Sequence, residues 1–352
     1  MTKFSKFVRP EKPSRGVISD RDLDIIAAIL RYRYSPASEL VRLVGGNEDV
    51  THRRLRWLWE CGLINRWAFP DLRRQSGEFH YYLDNRASVE LLVTHRKIEP
   101  HRSILEEIDN NREKNYADAA FSGRYMQLGF LKHQLQVSRM HFMLEMAARE
   151  SSGKVELSAW HQGAQLKAKV WAPKVRSRRV GPSNEYLWQE SDDKERLPVE
   201  PDALFTLHFK TEDAGRDVHF CYEADRGTMT QADMLRKFRA YYHFIKKQQG
   251  HKQAFGIHPV RAVLIETTDE QRGWKLMELA AQPIVSGVGK RAGLFWFTVS
   301  NPMFTAPYKE TGAACYLHEP TIVLKRIWAL ADQTLLALGD PENSQSVTVG
   351  SR

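Results

Sequence analysis

The chain has 352 residues, 42% of them hydrophobic and 27% charged, a composition that excludes disordered and fibrous proteins and suffices for two packed domains. Lys and Arg number 52 against 43 Asp and Glu, and the net charge of +9 favours a polyanionic partner. The 3 cysteines lie far apart, which excludes a disulfide framework and a CxxC-type zinc site. No stretch is long and apolar enough to cross a bilayer, so we expect a cytoplasmic protein without a membrane partner.

Three helical patterns followed by two alternating segments open the folded part of the chain. Ser19 caps the first helix, a glycine pair ends the second, and the third covers residues 48–60. Segments 63–69 and 79–83 alternate like strands on either side of a turn-rich stretch. Three helices followed by a hairpin predict a winged helix-turn-helix.

Positive charge concentrates on the third helix and on the turn between the two strands. Between Thr51 and Arg74 there are six arginines and two acids, a net charge of +4. In a winged helix the third helix lies in the major groove, and the wing contacts the backbone or the minor groove. The alternative is a solvated basic face on a protein-interaction module. The predicted DNA contacts of this domain are Thr51, His52, Arg53, Arg54, Arg56, Arg73 and Arg74.

A mixed pattern of helices and strands continues from residue 131. A long amphipathic helix is followed by strands and helices as far as about residue 299, which predicts an α/β domain whose sheet is flanked by helices. A last helix is expected at 321–338, before a tail. The predicted domains are a basic flexible arm at 1–16, the winged helix-turn-helix at 17–96, a helical connector at 97–130, the α/β domain at 131–300, and a helical extension with a tail at 301–352.

A second basic region lies inside the predicted α/β domain. From Lys167 to Arg179 there are six basic residues and no acid. A loop of this composition would follow a phosphate backbone and become ordered on binding. The alternative is a flexible surface insertion. The predicted DNA contacts of this loop are Lys174, Arg176, Arg178 and Arg179.

Acidic residues stand at the ends of two neighbouring predicted strands. Asp202 opens one strand, Glu223 and Asp225 end the next, and Lys237 follows on a helix. Carboxylates that converge in this way suit Mg²⁺ or Mn²⁺, with Asp202 and Glu223 as the metal ligands. The predicted catalytic residues are Asp202, Glu223, Asp225 and Lys237. The alternative is an intramolecular charge network around Glu223, Asp225 and Arg226.

The Pro201-Asp202 pair together with Glu223 resembles the motif of the PD-(D/E)XK nuclease superfamily, in which an Asp and a second acid hold the metal. In that motif a Lys two residues after the second acid positions the attacking water, whereas position 225 is Asp here. In some members of the superfamily the cation lies on the following helix, and Lys237 is similar to such a substitute. The resemblance implies a restriction-endonuclease-like fold.

Taken together, the chain resembles the replication-relaxation family of plasmid and other mobile-element proteins from about residue 19 to residue 279. The features that carry the resemblance are the winged-helix pattern, the helix around His133, Pro201-Asp202-Ala203, the segment Tyr222–Thr228, Lys237 and Tyr241. The most specific of them is the Glu-x-Asp-Arg-Gly-Thr segment followed by Lys and Tyr on a helix. The resemblance implies DNA binding connected with plasmid replication, DNA relaxation or transfer.

The expected fold class is therefore mixed, with an N-terminal α+β winged helix-turn-helix followed by an α/β restriction-endonuclease-like domain. The expected function is that of a double-stranded DNA-binding protein of a plasmid or other mobile element, with replication or transfer proteins as further partners. A Mg²⁺- or Mn²⁺-dependent deoxyribonuclease is the first alternative. A transcriptional autoregulator that does not cut DNA is the second.

Overall fold

The computed structural model describes residues 8–12, 15–68, 78–114, 125–180, 185–210, 215–287, 293–299, 315–340 and 347–348. The chain divides into two compact units, Met1–Phe142 and Met143–Arg352. Within the described residues it is a mixed helix and sheet protein whose sheets have three, two and eight strands. None of the described helices is both long and apolar enough to cross a membrane.

The first unit contains five helices and three short strands within its described part, and a sixth helix crosses the boundary into the second unit. The helices are α1 (Asp20–Tyr32), α2 (Ala37–Val44), α3 (Glu48–Glu60), α4 (Arg86–Arg96), α5 (Arg102–Lys114) and α6 (Tyr125–Glu150), and the strands are β1 (Tyr34–Pro36), β2 (Asn65–Trp67) and β3 (His80–Tyr82).

Apolar residues at helical spacing form the core of the first unit. Ile26 of α1 and Leu55 and Leu58 of α3 are fully buried in one cluster. At the start of α3 the side chain of Asn47 accepts a hydrogen bond from Val50 N at 3.0 Å, which satisfies one of the free amide groups of the first turn. The predicted third helix, residues 48–60, is confirmed with the same bounds.

Strand β1 occupies a position where the sequence pattern indicated only a break between two helices. It pairs antiparallel with β3, with Tyr34 opposite Tyr82, so the sheet has the order β1-β3-β2. The Tyr34 hydroxyl donates to Asn111 Oδ1 of α5 at 2.8 Å. Ile108 of α5 is also buried in the first core. The helix expected in the connector therefore packs as part of the first unit.

Several predicted segments lie wholly or partly outside the described residues. In the basic arm these are residues 1–7 and 13–14. In the hairpin they are residues 69–77, which are the last residue of the predicted strand 63–69 and the turn-rich stretch after it. Within the described part of the arm, Arg9 Nη2 donates to the Ile64 carbonyl at 3.2 Å.

The second unit contains the large sheet, the two-stranded ribbon and their helices. Its strands are β4 (Val155–Gln162), β5 (Ala168–Val180), β6 (Glu185–Val199), β7 (Ala203–Phe209), β8 (Arg216–Ala224), β9 (Val260–Thr267), β10 (Phe295–Val299), β11 (Arg326–Ala329), β12 (Thr334–Ala337) and β13 (Val347–Thr348). Its helices are α7 (Gln231–Tyr242), α8 (Gly250–Phe255), α9 (Glu270–Ala280), α10 (Pro283–Ser286) and α11 (Cys315–His318).

The large sheet has the order β13-β12-β11-β10-β9-β8-β7-β4. Strand β7 is antiparallel to both of its neighbours, β4 and β8, whereas β8, β9 and β10 run parallel. The two parallel connections pass through α7 and α9, as parallel pairing requires a crossover. Residues of α7, α9 and the ribbon share one apolar cluster with residues of the central strands. The two helices and the ribbon therefore cover one face of the sheet.

The basic segment that we expected as a loop is instead a long antiparallel ribbon of β5 and β6, running from Ala168 opposite Val199 to Val180 opposite Glu185. Val170, Ala172 and Leu197 are at most 2% exposed and belong to the main core. The loop prediction is wrong because lysines and arginines occupy the positions between these apolar residues, and period-two burial makes such a segment a strand.

The helix expected at 321–338 is also wrong. A short 3₁₀ turn at Pro320–Leu324 is followed by β11 and β12, which extend the large sheet from the edge of β10. This segment is rich in Ala and Leu, which favour helices. Pairing with the open edge of β10 overrides that propensity, as tertiary context does for short segments.

Arg239 of α7 joins the helix to the ribbon. Its side chain is fully buried, and its Nη2 donates to the Pro173 carbonyl at 2.7 Å and to Glu190 Oε1 at 2.9 Å. Its Nε donates to the Ile284 carbonyl at 3.3 Å. Arg236, one turn earlier, also contacts the ribbon through an ion pair with Glu195 at 3.0 Å, but its side chain is 53% exposed.

Arg239→Ala is expected to lower the free energy of unfolding by about 3 kcal/mol, because it removes a fully buried side chain together with its hydrogen bonds to two partly buried carbonyl groups and to Glu190. Arg236→Ala, the matched control, is expected to cost less than about 1 kcal/mol because its ion pair is exposed. Urea unfolding of both variants measures the difference. Equal, small losses would show that Arg239 does not anchor the ribbon.

Candidate functional site

Helix α3 has one buried side and one exposed basic side. Leu55 and Leu58 are fully buried, whereas His52, Arg53 and Arg56 are exposed. The helix is thereby held in the unit by its apolar residues and presents three basic residues to solvent. These three, His52, Arg53 and Arg56, are called the basic face of α3 below.

The basic face is arranged by weak local contacts only. Arg56 Nε lies 2.8 Å from Glu60 Oε1, yet the Arg56 side chain is 68% exposed. His52 Nε2 lies 3.3 Å from Glu48 Oε1. Arg53 forms no ion pair with any residue in the described part of the chain. Exposed pairs of this kind contribute little to stability, so these side chains are available to an external anion.

Two other predicted DNA contacts are bonded within the protein. Thr51 is fully buried, and its hydroxyl accepts from Arg21 Nη2 at 2.7 Å and donates to the Asn47 carbonyl. Arg54 forms a bidentate ion pair with the buried Asp22. Its Nε donates to Oδ1 at 2.6 Å and its Nη2 donates to Oδ2 at 2.5 Å. These two residues therefore hold α3 to its surroundings and are not part of its exposed face.

The Arg54 ion pair is strong enough to reverse the effect of burial on Asp22. Burial by itself would raise the pKa of this carboxyl. The hydrogen bonds from Arg54 and Ser19 favour the ionised form, and together they lower the pKa of Asp22 below its ordinary value. The charge of Arg54 is thus used to stabilise the contact between α3 and α1.

The remaining predicted DNA contacts lie on the wing and on the ribbon. Arg73 and Arg74 fall in segment 69–77, outside the described residues. Lys174 and Arg176 are exposed on β5. Arg178 and Arg179 also belong to β5, where they are paired in register with Leu187 and Tyr186 of β6.

A buried polar cluster lies between the large sheet and α7. We call it the Glu223 cluster and define it as Asp202, Glu223, Lys237 and Tyr241. Lys237 Nζ donates to Glu223 Oε2 at 2.5 Å, and the Tyr241 hydroxyl donates to Glu223 Oε1. Asp202 Oδ2 accepts from Ala224 N at 2.8 Å. The structure therefore brings Asp202, Glu223 and Lys237 of the candidate site together.

Strand pairing and helix periodicity explain why this cluster forms. Asp202 directly precedes β7, and its amide donates to the Tyr222 carbonyl of β8 at 3.1 Å, next to Glu223. Lys237 and Tyr241 are four residues apart on α7, so both side chains lie on one face of the helix. Tyr241 belongs to the cluster and to the features that carry the family resemblance, but not to our predicted site residues, because nothing local in the sequence indicates Glu223 as its partner.

Burial and neighbouring charges raise the pKa values of three residues of the Glu223 cluster, Glu223, Lys237 and Tyr241. Burial raises the pKa of Glu223 from 4.5 to about 7, although the ammonium group of Lys237 acts in the opposite direction. Burial would lower the pKa of Lys237, but Glu223 and Asp202 outweigh it and raise that pKa above its ordinary value. Burial and then the charge of Glu223 raise the pKa of Tyr241.

Asp225 is bonded to α9 rather than to the Glu223 cluster. Arg272 Nε and Nη2 donate to its two carboxylate oxygens at 2.9 and 3.1 Å, and Thr267 Oγ1 donates at 2.8 Å. Asp225 is therefore part of a charge network, as in the alternative interpretation, but its ion-pair partner is Arg272, which that interpretation did not include. Sequence reasoning missed Arg272 because it lies far along the chain and only the sheet brings it close.

The cluster offers a divalent cation two carboxylates, Asp202 and Glu223, of the oxygen type that Mg²⁺ prefers. Within the described ranges no group of three or more His, Cys, Asp or Glu residues could hold a metal ion. Both oxygens of Glu223 accept hydrogen bonds from Lys237 and Tyr241. The donor types thus fit a divalent cation, but the arrangement present is that of a closed ion pair.

The raised pKa of Glu223 predicts a particular pH dependence of stability. Because folding favours the protonated carboxyl, this contribution is complete below about pH 4.5 and is lost as the pH rises through about 7. Across this window the unfolding free energy of the natural chain is expected to fall relative to that of Glu223→Gln. Urea unfolding at a series of pH values measures this. The exposed Glu278 provides the control variant Glu278→Gln, and a constant difference for Glu223→Gln would contradict the prediction.

The comparisons with known proteins give one match. A family model described as replication-relaxation matches residues 30–260, more than half of the chain. Comparisons with curated proteins and with solved structures found no match. The matched range includes α3, the ribbon and the Glu223 cluster. The chain therefore belongs to the replication-relaxation family, which links it to the replication or relaxation of plasmids and other mobile elements.

Proposed function

We propose that this protein binds double-stranded DNA of a plasmid or other mobile element, with α3 in the major groove, and acts in replication, relaxation, transfer or their regulation. The observation that carries the proposal is the basic face of α3. The opposite side of this helix is buried in the core, and its exposed side carries His52, Arg53 and Arg56. A rigid helix with cations on its outer side is the usual reader of a major groove.

The element order of the first unit supports the same proposal. The order α1, β1, α2, α3, β2, β3 with a three-stranded sheet agrees with the winged helix-turn-helix that we propose, in which α3 would be the recognition helix. The connection between β2 and β3 would then be the wing, with Arg73 and Arg74 as backbone contacts. Lys174 and Arg176 on the ribbon are further candidates for phosphate contacts.

The double variant Arg53→Ala/Arg56→Ala is expected to weaken binding to a duplex by at least about thirtyfold, since each such contact contributes about 1–3 kcal/mol and the two together at least about 2 kcal/mol. Its affinity should also fall less steeply with salt, by about one unit of slope for each lost phosphate contact. Fluorescence anisotropy with a labelled duplex over a salt series measures both effects.

The control for this experiment is Arg102→Ala on α5. Arg102 is 88% exposed and pairs with Glu106 four residues later, as Arg56 pairs with Glu60. This variant should bind the duplex as the natural chain does. Duplex affinity that survives Arg53→Ala/Arg56→Ala unchanged would refute the assignment of α3 as the recognition helix.

A second candidate function is Mg²⁺- or Mn²⁺-dependent DNA cleavage, favoured by the contact of Lys237 with Glu223 beside Asp202. This arrangement matches the PD-(D/E)XK resemblance, with Lys237 of the following helix in place of the missing Lys at position 225. Asp202 and Glu223 would hold the ion, which would supply polarisation of a phosphate and an activated water. Lys237 would have to leave Glu223 Oε2 to make room for it.

Incubation of supercoiled plasmid with the protein and Mg²⁺ or Mn²⁺ tests this second function. If the protein is a nuclease, the natural chain yields relaxed or linear DNA and Asp202→Asn does not. Asp217→Asn is the control, because Asp217 lies on the same strand β8 but is 55% exposed and pairs with His208. Absence of product from the natural chain with both metals would exclude cleavage and leave DNA binding as the function.

A further inference from the structure

The β5–β6 ribbon has a buried side and an exposed side of different chemistry. On the buried side, Val170, Ala172, Leu197 and Val199 are at most 2% exposed and belong to the main core. The positions between them point the other way because side chains alternate along a strand. The ribbon is therefore fixed to the second unit by one side only, and its other side faces solvent.

The exposed side carries a tryptophan among cations. Trp171 is 54% exposed and lies directly opposite Arg196, which is also exposed. Lys169 precedes Trp171 by two residues on the same side, and Lys194 occupies the equivalent position beside Arg196. Neighbours of this kind are within about 7–8 Å of one another. We call Lys169, Trp171, Lys194 and Arg196 the outer face of the ribbon.

The carboxylates of β6 do not neutralise this face. Glu195 forms an ion pair with Arg236, and Glu190 forms one with the buried Arg239, both on the α7 side of the ribbon. In the part of the chain that the structure describes, no carboxylate forms an ion pair with Lys169, Lys194 or Arg196. Two further acids of β6, Asp192 and Asp193, are exposed at the point where the pairing register of β5 and β6 shifts.

An exposed indole among cations has a specific use in nucleic-acid binding. Phosphates of a duplex are neutralised by Lys and Arg alone, and the bases of a duplex are already stacked on one another. An unpaired strand offers the faces of its bases, which stack on aromatic side chains while nearby cations follow the backbone. The outer face of the ribbon combines both elements of such a site.

We propose that the outer face of the ribbon binds an unpaired DNA strand, with a base stacked on Trp171 and phosphates beside Lys169, Lys194 and Arg196. This inference goes beyond duplex binding by α3 and uses different residues in the other unit. A protein with both surfaces recognises duplex DNA and also holds a separated strand, as a protein acting on opened DNA requires.

The test uses the full chain and a labelled oligothymidine of about 16 nucleotides, the upper site size of a single-strand-binding domain. Trp171→Ala is expected to weaken its binding about tenfold, the equivalent of about 1.4 kcal/mol, whereas Trp171→Phe should retain most of the affinity because a phenyl ring still stacks. The control is Trp274→Ala, since Trp274 is 42% exposed but belongs to α9 and not to the ribbon. It should bind as the natural chain does.

Trp171→Ala is expected to fold, because Trp171 lies outside the core and the bond from Gln248 Nε2 to its carbonyl, at 2.6 Å, involves only the backbone. An unchanged urea midpoint verifies this. Failure of the natural chain to bind oligothymidine, unchanged affinity of Trp171→Ala, or an equal loss for a duplex would each overturn the proposal. Loss of duplex binding in Arg53→Ala/Arg56→Ala with oligothymidine binding intact would support the proposal. Duplex binding by the natural chain without oligothymidine binding would refute the proposal for the ribbon and leave duplex binding by α3 unaffected.

Discussion

The buried carboxylate of Glu223 imposes the central constraint on the second unit. A carboxylate on a strand in the middle of a sheet requires a cation or hydrogen-bond donors in the layer above it. Lys237 and Tyr241 of α7 meet this requirement from one face of the helix. The position and rotation of α7 over the sheet are thereby restricted to those in which both side chains reach Glu223.

The same helix then determines the charge of the ribbon. With Lys237 directed at the sheet, Arg236 and Arg239 of α7 contact Glu195 and Glu190 of β6. Glu190 and Glu195 of the ribbon pair with this helix on the inner side, whereas Lys169, Lys194 and Arg196 remain on the outer side. A net positive surface arises here from the pairing of acids with one helix and not from an absence of acids in the segment.

In the first unit, intramolecular contacts likewise determine which basic side chains are exposed. Arg54 is committed to Asp22, and Arg66 is buried with its guanidinium 3.6 Å from the centre of the Trp59 ring. Only some of the arginines counted in this part of the sequence therefore reach solvent on α3. Net charge indicated this region of the sequence, but intramolecular ion pairs and cation–π contacts determine which of its basic side chains are exposed.

The sequence was sufficient to predict helix α3 with its buried and exposed sides, the strand that follows Asp202 and the strand that carries Glu223, because these depend on local periodicity. It indicated Lys237 only through the resemblance to the nuclease motif. It did not determine the ribbon, the strands β11 and β12, or the partners of Arg54 and Asp225. The basic segment 167–179 has the composition of a loop, and it forms a strand because its apolar residues pack in the core. The Ala- and Leu-rich segment 321–338 has the composition of a helix, and it forms strands because it pairs with the edge of β10. Those outcomes depend on groups distant along the chain, so only the tertiary structure decides them.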